Sequence, residues 1–314
     1  MSKFDTAYLD LCDRILKTGD KITTDPSVLK KSRAVSSATN MPTHLAQTEK
    51  PTTTYSLPHQ VLFFDLSEEF PILTTKKVAF KSAVLELLWI YQVASNCVAW
   101  LKERNVKIWD EWEIPASGIY AGKDYKKLYK ENPALSKEDP VGTIGTAYGW
   151  VVNRYNLVSS LIETIKTDPA NRRMIISLWQ NEWLPTAALP SCVWNTQWNV
   201  SGGNLNLMVT VRSNDVPLGM PFNVTQYAVF CHLLAQVTGL RPGKMTYVIN
   251  NAHIYANQVE GIKEQMSRPA HPAPTLWLNP EIKNFADFDN SKDLKDIRLE
   301  NYEHSGVIKM PVTE

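Results

Sequence analysis

Residues 205–255 constrain the architecture more than any other stretch. Leu205, Leu207, Val209 and Val211 alternate with Asn206, Thr210 and Arg212, the period-two pattern of a strand with one buried face. The run that follows, N-V-T-Q-Y-A-V-F-C-H-L-L-A-Q-V-T-G, reads as a helix with Tyr227, Phe230, Cys231 and Leu234 inward and Gly239 as terminator. Residues 244–255, K-M-T-Y-V-I-N-N-A-H-I-Y, return to strand. Strand, buried helix and strand, with no internal repeat and no clean linker, predict an α+β fold. The expectation is one large domain over residues 1–314, with a mixed β-sheet packed by helices.

Upstream, Phe4, Tyr8, Leu11, Cys12, Ile15 and Leu16 share one helical face, and Gly19 supplies a stop. Residues 20–57, rich in Ser, Thr, Lys and Pro, read as a long loop, and residues 60–66 as a strand. The segment from Leu73 to Tyr91 reads as a helix capped near Thr74 or Thr75, apolar nearly all round and so buried. Glu86 sits inside it among Leu85, Leu87, Leu88 and Trp89. A buried carboxylate is costly unless it is bonded or chemically employed, so a structural and a catalytic reading both stand at this point. Val158, Leu161, Ile162 and Ile165 mark another amphipathic helix, and residues 113–141 read as a charged surface insertion.

Charge excludes some partners. Lys+Arg 33 against Asp+Glu 32 leaves +1, so no global field draws the chain to nucleic acid or acidic membranes. An anionic ligand then needs a local basic cluster. The four cysteines show neither CxxC nor zinc spacing, and no metal is expected. No apolar run approaches the roughly 20 residues that span a bilayer, the N-terminus has no apolar block, and free thiols suit a cytoplasmic setting.

Cys192 opens a strand-like run, as core filler or as a nucleophile held at a strand edge. Arg172 and Arg173 form a paired guanidinium suited to a phosphate dianion or to a solvated surface. Residues 211–223, V-R-S-N-D-V-P-L-G-M-P-F-N, gather Arg212, Ser213, Asn214, Asp215 and Asn223 into a broken segment after a strand. His253 and Tyr255 stand in strand register on one face.

In order along the chain, T-T-K-K, E-L-L-W, I-W-D-E-W, A-Y-G-W, R-R-M-I, L-P-S-C, R-S-N-D, L-G-M-P-F-N and A-H-I-Y make the sequence resemble the thymidylate synthase family. The resemblance runs from about residue 58 to the C-terminus. It implies a thymidylate-synthase-like fold dimerising through its sheet, and one-carbon transfer from 5,10-methylenetetrahydrofolate to C5 of dUMP, with no metal. It implies that Cys192 adds to C6 of the pyrimidine, making C5 electron-rich, with Arg212 favouring the thiolate and binding phosphate beside Ser213. By the same resemblance Arg172 and Arg173 are donated to the site of a second subunit. Asn223 reads the uracil, and His253 and Tyr255 hold the sugar 3'-hydroxyl. Asp215, Trp109 and Lys76 meet the folate, and Glu86, also on the folate side, moves protons with Tyr148.

The pattern breaks in four places. Val193 follows the cysteine where the family usually has His. Val211 replaces a Gln, and Asn250-Asn251 replaces Gly-Asp. The N-terminal phosphate loop lacks its Gly-Thr signature, leaving Arg33 as the weak match. The chain ends K-M-P-V-T-E, so Thr313 and Glu314 stand where an apolar pair usually closes the site. A dry lid favours hydride transfer, so a polar tail raises the alternative of a dUMP hydroxymethylase, a relative found in phages, for which the setting is the host cytoplasm. A non-catalytic nucleotide- or RNA-binding paralogue is the reading from another class, and UMP in place of dUMP is a further substrate alternative.

Overall fold

Helix α1 (Lys3–Thr18) opens the fold with Phe4, Tyr8, Leu11, Cys12 and Ile15 fully buried, the face the spacing predicts. The computed structural model describes residues 2–24 and 51–313. Strands β1 (Asp20–Thr24) and β2 (Thr52–Asp65) follow, then α2 (Phe80–Tyr91) and the short α3 (Val98–Lys102). A hairpin of β3 (Ile119–Tyr120) and β4 (Lys123–Asp124) leads into α4 (Tyr125–Glu131), α5 (Gly149–Arg154) and α6 (Leu157–Thr167). The C-terminal half contributes β5 (Ile175–Ser177), β6 (Val193–Ser201), β7 (Asn204–Val211) and β8 (Asn214–Asp215). Helix α7 (Gly219–Val237), β9 (Arg241–Tyr255), α8 (Val259–Met266) and the pair β10 (Thr275–Leu278) and β11 (Ile297–Glu300) complete it.

One seven-stranded sheet runs in the order β1-β2-β9-β7-β6-β5, with β8 added to β9. Strands β7 and β9 are parallel and the β2–β9 and β6–β7 pairs antiparallel, so the sheet is mixed and the fold α+β, as predicted. Parallel neighbours need a long crossover, and α7 is part of that crossover. Its Val224, Tyr227, Phe230, Cys231 and Leu234 are buried, over the inward face of β7 and over Met245, Tyr247 and Ile249 of β9. The helix starts four residues before the expected point, at Gly219, because Pro221 is tolerated in a first turn. Asn223 therefore projects from the helix body. The other sheet face is open, with Phe63 77%, Ile175 47% and Val61 46% exposed.

Three expectations need correction. Residues 20–57 are not one loop: Asp20 through Thr24 pair with Ser56 through Thr52 as an antiparallel edge. Thr-rich edge strands with little burial carry no hydrophobic period, so the pattern could not announce them. Gly19 does end α1, as expected, with φ −70°. A Cβ there would lie 2.4 Å from the Ile15 carbonyl and 3.2 Å from the Ser56 amide nitrogen, so the glycine lets β2 pass. Residues 113–141 are more than a surface insertion, since Ile114, Tyr120, Tyr125, Tyr129 and Leu135 are buried beneath their charged exterior.

The third correction concerns Thr74 and Thr75, which do not cap α2. Both turn to the fully buried Asp5. Thr74 gives its amide to Asp5 at 3.0 and 3.1 Å and its hydroxyl at 2.6 Å, and Thr75 gives its amide at 3.0 Å and its hydroxyl at 2.7 Å. Helix α2 starts instead at Phe80, behind Ala79 without a side-chain cap. The Asp5 carboxylate thus pins α1 to the approach to α2. Asp5→Ala strips several buried donors of their acceptor and is expected to cost about 3 kcal/mol or more, read as a lowered denaturation midpoint.

Candidate active site

A cavity of about 580 Å3 opens where α2 and α7 meet the strand ends around Cys192. Cys192 stands immediately before β6, and two backbone bonds fix it there. The Arg212 amide donates to the Cys192 carbonyl at 2.9 Å, and the Cys192 amide donates to Tyr148 Oη at 3.0 Å. Arg212, just past β7, is clamped in turn: Nε donates to the Ser191 carbonyl at 3.1 Å and Nη2 to the Pro190 carbonyl at 2.8 Å. Nη2 also reaches Cys192 Sγ at 3.8 Å. A cation at that range favours thiolate over thiol. Ser213 follows Arg212 in the wall.

Tyr148 carries φ 47° and ψ −109° at the start of α5. Such a backbone costs on the order of 1–3 kcal/mol in a non-glycine residue and persists where the surroundings impose it. Here the ring meets Trp109 at 5.1 Å and the hydroxyl accepts the Cys192 amide. Burial pushes the phenol well above its ordinary value, so Tyr148 keeps its proton.

Glu86 projects from α2 into the cavity with both oxygens engaged. Trp109 Nε1 donates to Oε1 at 2.6 Å, and Gln226 Nε2 donates to Oε2. Burial pushes the carboxyl up to about 7, against the pull of those two hydrogen bonds. A group titrating there can both give and take a proton at neutral pH. The carboxylate is therefore bonded as well as placed in the wall.

Gln226 continues the chain. Its Oε1 accepts from Asn223 Nδ2 at 3.3 Å, Asn223 Oδ1 accepts from Asn214 Nδ2 at 3.4 Å, and Asn214 Oδ1 accepts from the Tyr247 hydroxyl at 2.9 Å. The amide of Asn223 is thus oriented from both sides, while one N–H and one lone pair stay available toward the cavity.

His253 and Tyr255 meet edge to face at 5.2 Å in the wall. His253 Nδ1 lies 2.9 Å from Asn251 Oδ1, so one of the two asparagines that break the expected Gly-Asp pattern orients the imidazole. Burial lowers His253 to about 4, which leaves the ring neutral. Asp215 accepts the Leu218 amide at 2.9 Å and Gln258 Nε2 at 3.0 Å. Burial raises its carboxyl despite both bonds. Ile108, Trp109, Trp112, Leu189, Leu218 and Phe222 form the apolar part of the wall, a fit for flat aromatic rings.

Some predicted residues lie elsewhere. Lys76 is not in the cavity wall: it is 6% exposed, and its ammonium donates to the Pro217 carbonyl. Burial lowers it to about 8, with Cys12 and Asp215 opposing. Lys76 thus stands behind the wall, near Asp215. Arg172 and Arg173 are exposed and outside the cavity. Arg172 borders a separate depression of about 680 Å3 on the open sheet face. Arg33 and Glu314 lie outside the described residues, and Val312 and Thr313 reach the wall.

Gln226, Asn251 and Gln258 were missed as site residues. Gln226 had a signal, the i,i+3 spacing from Asn223 on one helix face. The other two depend on contacts that no local pattern announces. Among the described residues no group of three or more His, Cys, Asp or Glu is placed to hold a metal ion, and no helix is long and apolar enough to cross a membrane.

The family model described as thymidylate synthase matches residues 6–314. A thymidylate synthase of Clostridium beijerinckii is 51% identical over 262 residues, 83% of this chain and 89% of its own length. One from Bacillus mojavensis is 37% identical over 321 residues, covering 99% of each. Among solved structures, the thermostable thymidylate synthase A from Bacillus subtilis superposes with TM-score 0.79 at 35% identity, over 99% of each chain.

Proposed function

The chain belongs to the thymidylate synthase family, and on that premise we propose that it methylates dUMP at C5 to dTMP, with Cys192 as the nucleophile. 5,10-Methylenetetrahydrofolate is the second substrate and leaves as dihydrofolate. The observation that carries the reading is one cavity holding Cys192 beside Arg212, with Asn223, Glu86 and Tyr148 in the same wall.

Chemistry assigns the parts. Sulfur adds to C6, and the electron pair moves to C5, leaving an enolate on O4. The N–H that Asn223 keeps free suits that oxygen, and its free lone pair suits N3–H. C5 bonds the one-carbon unit of the folate, loses its proton, and expels the folate nitrogen to leave an exocyclic methylene. Hydride from the folate completes the methyl group, and the C6–S bond breaks. Glu86, near neutrality, is suited to proton transfer at O4 and, through water that the protonated Tyr148 hydroxyl helps to orient, at C5. Arg212 and Ser213 face the phosphate, and His253 and Tyr255 the sugar hydroxyl. The apolar wall suits the pterin, with Asp215 its polar anchor. Thr313, the polar residue at the tail, has its hydroxyl engaged by Asn257 Nδ2 at 2.8 Å, which supports a tail that seats against the protein and keeps water out. The expected product carries a methyl group by mass, with dihydrofolate absorbance rising in equal amount. A hydroxymethyl product without that rise overturns the reading.

Arg172 and Arg173 are assigned to a second subunit, in a homodimer built on the open sheet face and set in the cytoplasm. Neither guanidinium has a hydrogen bond or ion pair among the described residues, and Phe63, Val61 and Ile175 leave an apolar face uncovered. Cys192→Ala and Arg173→Glu should each be inactive. Mixed and re-equilibrated, half the dimers carry one intact site, so about a quarter of the activity should return. No recovery removes the donated arginine.

A further inference from the structure

We propose that Gln258 is a positioning residue that ties the C-terminal tail to Asp215, so that the tail and the folate side of the cavity are set by one carboxamide. The inference deepens the proposed function and rests on it for the identity of the folate.

Gln258 is fully buried, in the short turn Ala256–Gln258 between β9 and α8. Its Oε1 accepts the Tyr255 amide at 3.0 Å. Its Nε2 donates in two directions, to Asp215 Oδ2 at 3.0 Å and to the Pro311 carbonyl at 3.2 Å. Tyr255 and Asp215 line the cavity, and so do Val312 and Thr313, the residues immediately after Pro311. One side chain therefore touches the strand that carries the sugar-side pair, the carboxylate on the folate side, and the backbone of the lid. Both amide hydrogens and the amide oxygen are spent, so the orientation of the carboxamide is over-determined.

Other contacts seat the tail without touching Asp215. Arg268 Nη1 donates to the Ser305 carbonyl at 2.8 Å. Gly261 of α8 leaves room for Met310, whose Cε would lie 2.8 Å from a Cβ at that position. These fix where the tail runs. Gln258 is the contact through which its last residues and the folate carboxylate feel each other: a displaced tail or a displaced Asp215 leaves one amide hydrogen of Gln258 without its acceptor, which loosens the carboxamide that holds the other. A bond to a charged acceptor is worth enough to move an equilibrium tenfold or more.

Gln258→Met keeps length and apolar bulk and removes all three bonds. It should raise KM for methylenetetrahydrofolate about tenfold and lower kcat, with KM for dUMP within about twofold. In the adduct formed with 5-fluoro-dUMP and methylenetetrahydrofolate, backbone amides of residues 307–313 should exchange hydrogen faster than in the parent. Gln258→Glu, which removes the donors but not the shape, should behave alike and serves if the Met variant does not fold. An unchanged folate KM with unchanged tail exchange overturns the inference. So does an equal loss for both substrates, the mark of general unfolding. If the parent forms no covalent adduct, the proposed function itself has failed; a parent adduct with indifferent variants leaves that function standing and removes only Gln258.

Discussion

Cys192→Ser should lose at least about three orders of magnitude in kcat while still binding dUMP within about threefold. Replacing sulfur by oxygen is nearly isosteric, so the two backbone bonds that hold this position, the Arg212 amide on its carbonyl and its own amide on Tyr148 Oη, survive. The loss is chemical. A thiol has a usable thiolate fraction near neutral pH, and Arg212 Nη2 at 3.8 Å favours that form. A serine hydroxyl needs a general base, and Glu86 is held by Trp109 and Gln226, not by residue 192. A factor of a thousand corresponds to about 4 kcal/mol of transition-state stabilisation. The measurements are a single-turnover rate, and intact mass after incubation with 5-fluoro-dUMP and methylenetetrahydrofolate. The variant should show no added mass where the parent gains both ligands. A rate within tenfold of the parent would mean that no sulfur bond is made during turnover.

The sequence made the core of this fold legible, and the reasons are physical. Strand β7 alternates strictly, and its inward residues are the buried ones because one face of the sheet is covered by α7. The α1 face was equally legible, since Phe4, Tyr8, Leu11, Cys12 and Ile15 recur at helical spacing and all reach the core. Strand β1 was not, because an exposed edge strand has no apolar period to read. The start of α2 was misread because Thr74 and Thr75 look like caps until Asp5, nearly seventy residues earlier, is brought beside them.

Site residues divide along the same line. Cys192, Arg212, Asn223, Glu86, Tyr148, His253 and Asp215 come from five stretches of chain and share one cavity. Residue type and order sufficed to nominate them. Lys76 was nominated by its motif and lies behind the wall, its ammonium on the Pro217 carbonyl. Gln226, Asn251 and Gln258 were silent. Each is an ordinary polar residue whose meaning lies in the group it orients, respectively Glu86 with Asn223, His253, and Asp215 with the tail.

Gln226→Met should lower kcat about a hundredfold and move the pH limb that belongs to Glu86 upward. In the parent the Glu86 carboxyl titrates near 7: burial raises it, and the hydrogen bonds from Trp109 and Gln226 hold it back. A donor to the ionised form lowers a carboxyl pKa, so deleting the Gln226 donor lets burial push it higher. The direction is independent of which form the rate-limiting step needs. If the carboxylate is required, the acid limb moves to higher pH; if the acid is required, the alkaline limb does. The same substitution frees Asn223, whose Nδ2 donates to Gln226 Oε1. A carboxamide no longer oriented from the helix side can turn over and offer cytosine the complementary pattern, so discrimination between dUMP and dCMP should fall together with kcat. A purely structural glutamine would alter stability and leave both the limb and the base preference where they were. Profiles of kcat from pH 6 to 9 with each nucleotide separate the two cases, and an unmoved limb with intact uracil preference would detach Gln226 from the chemistry.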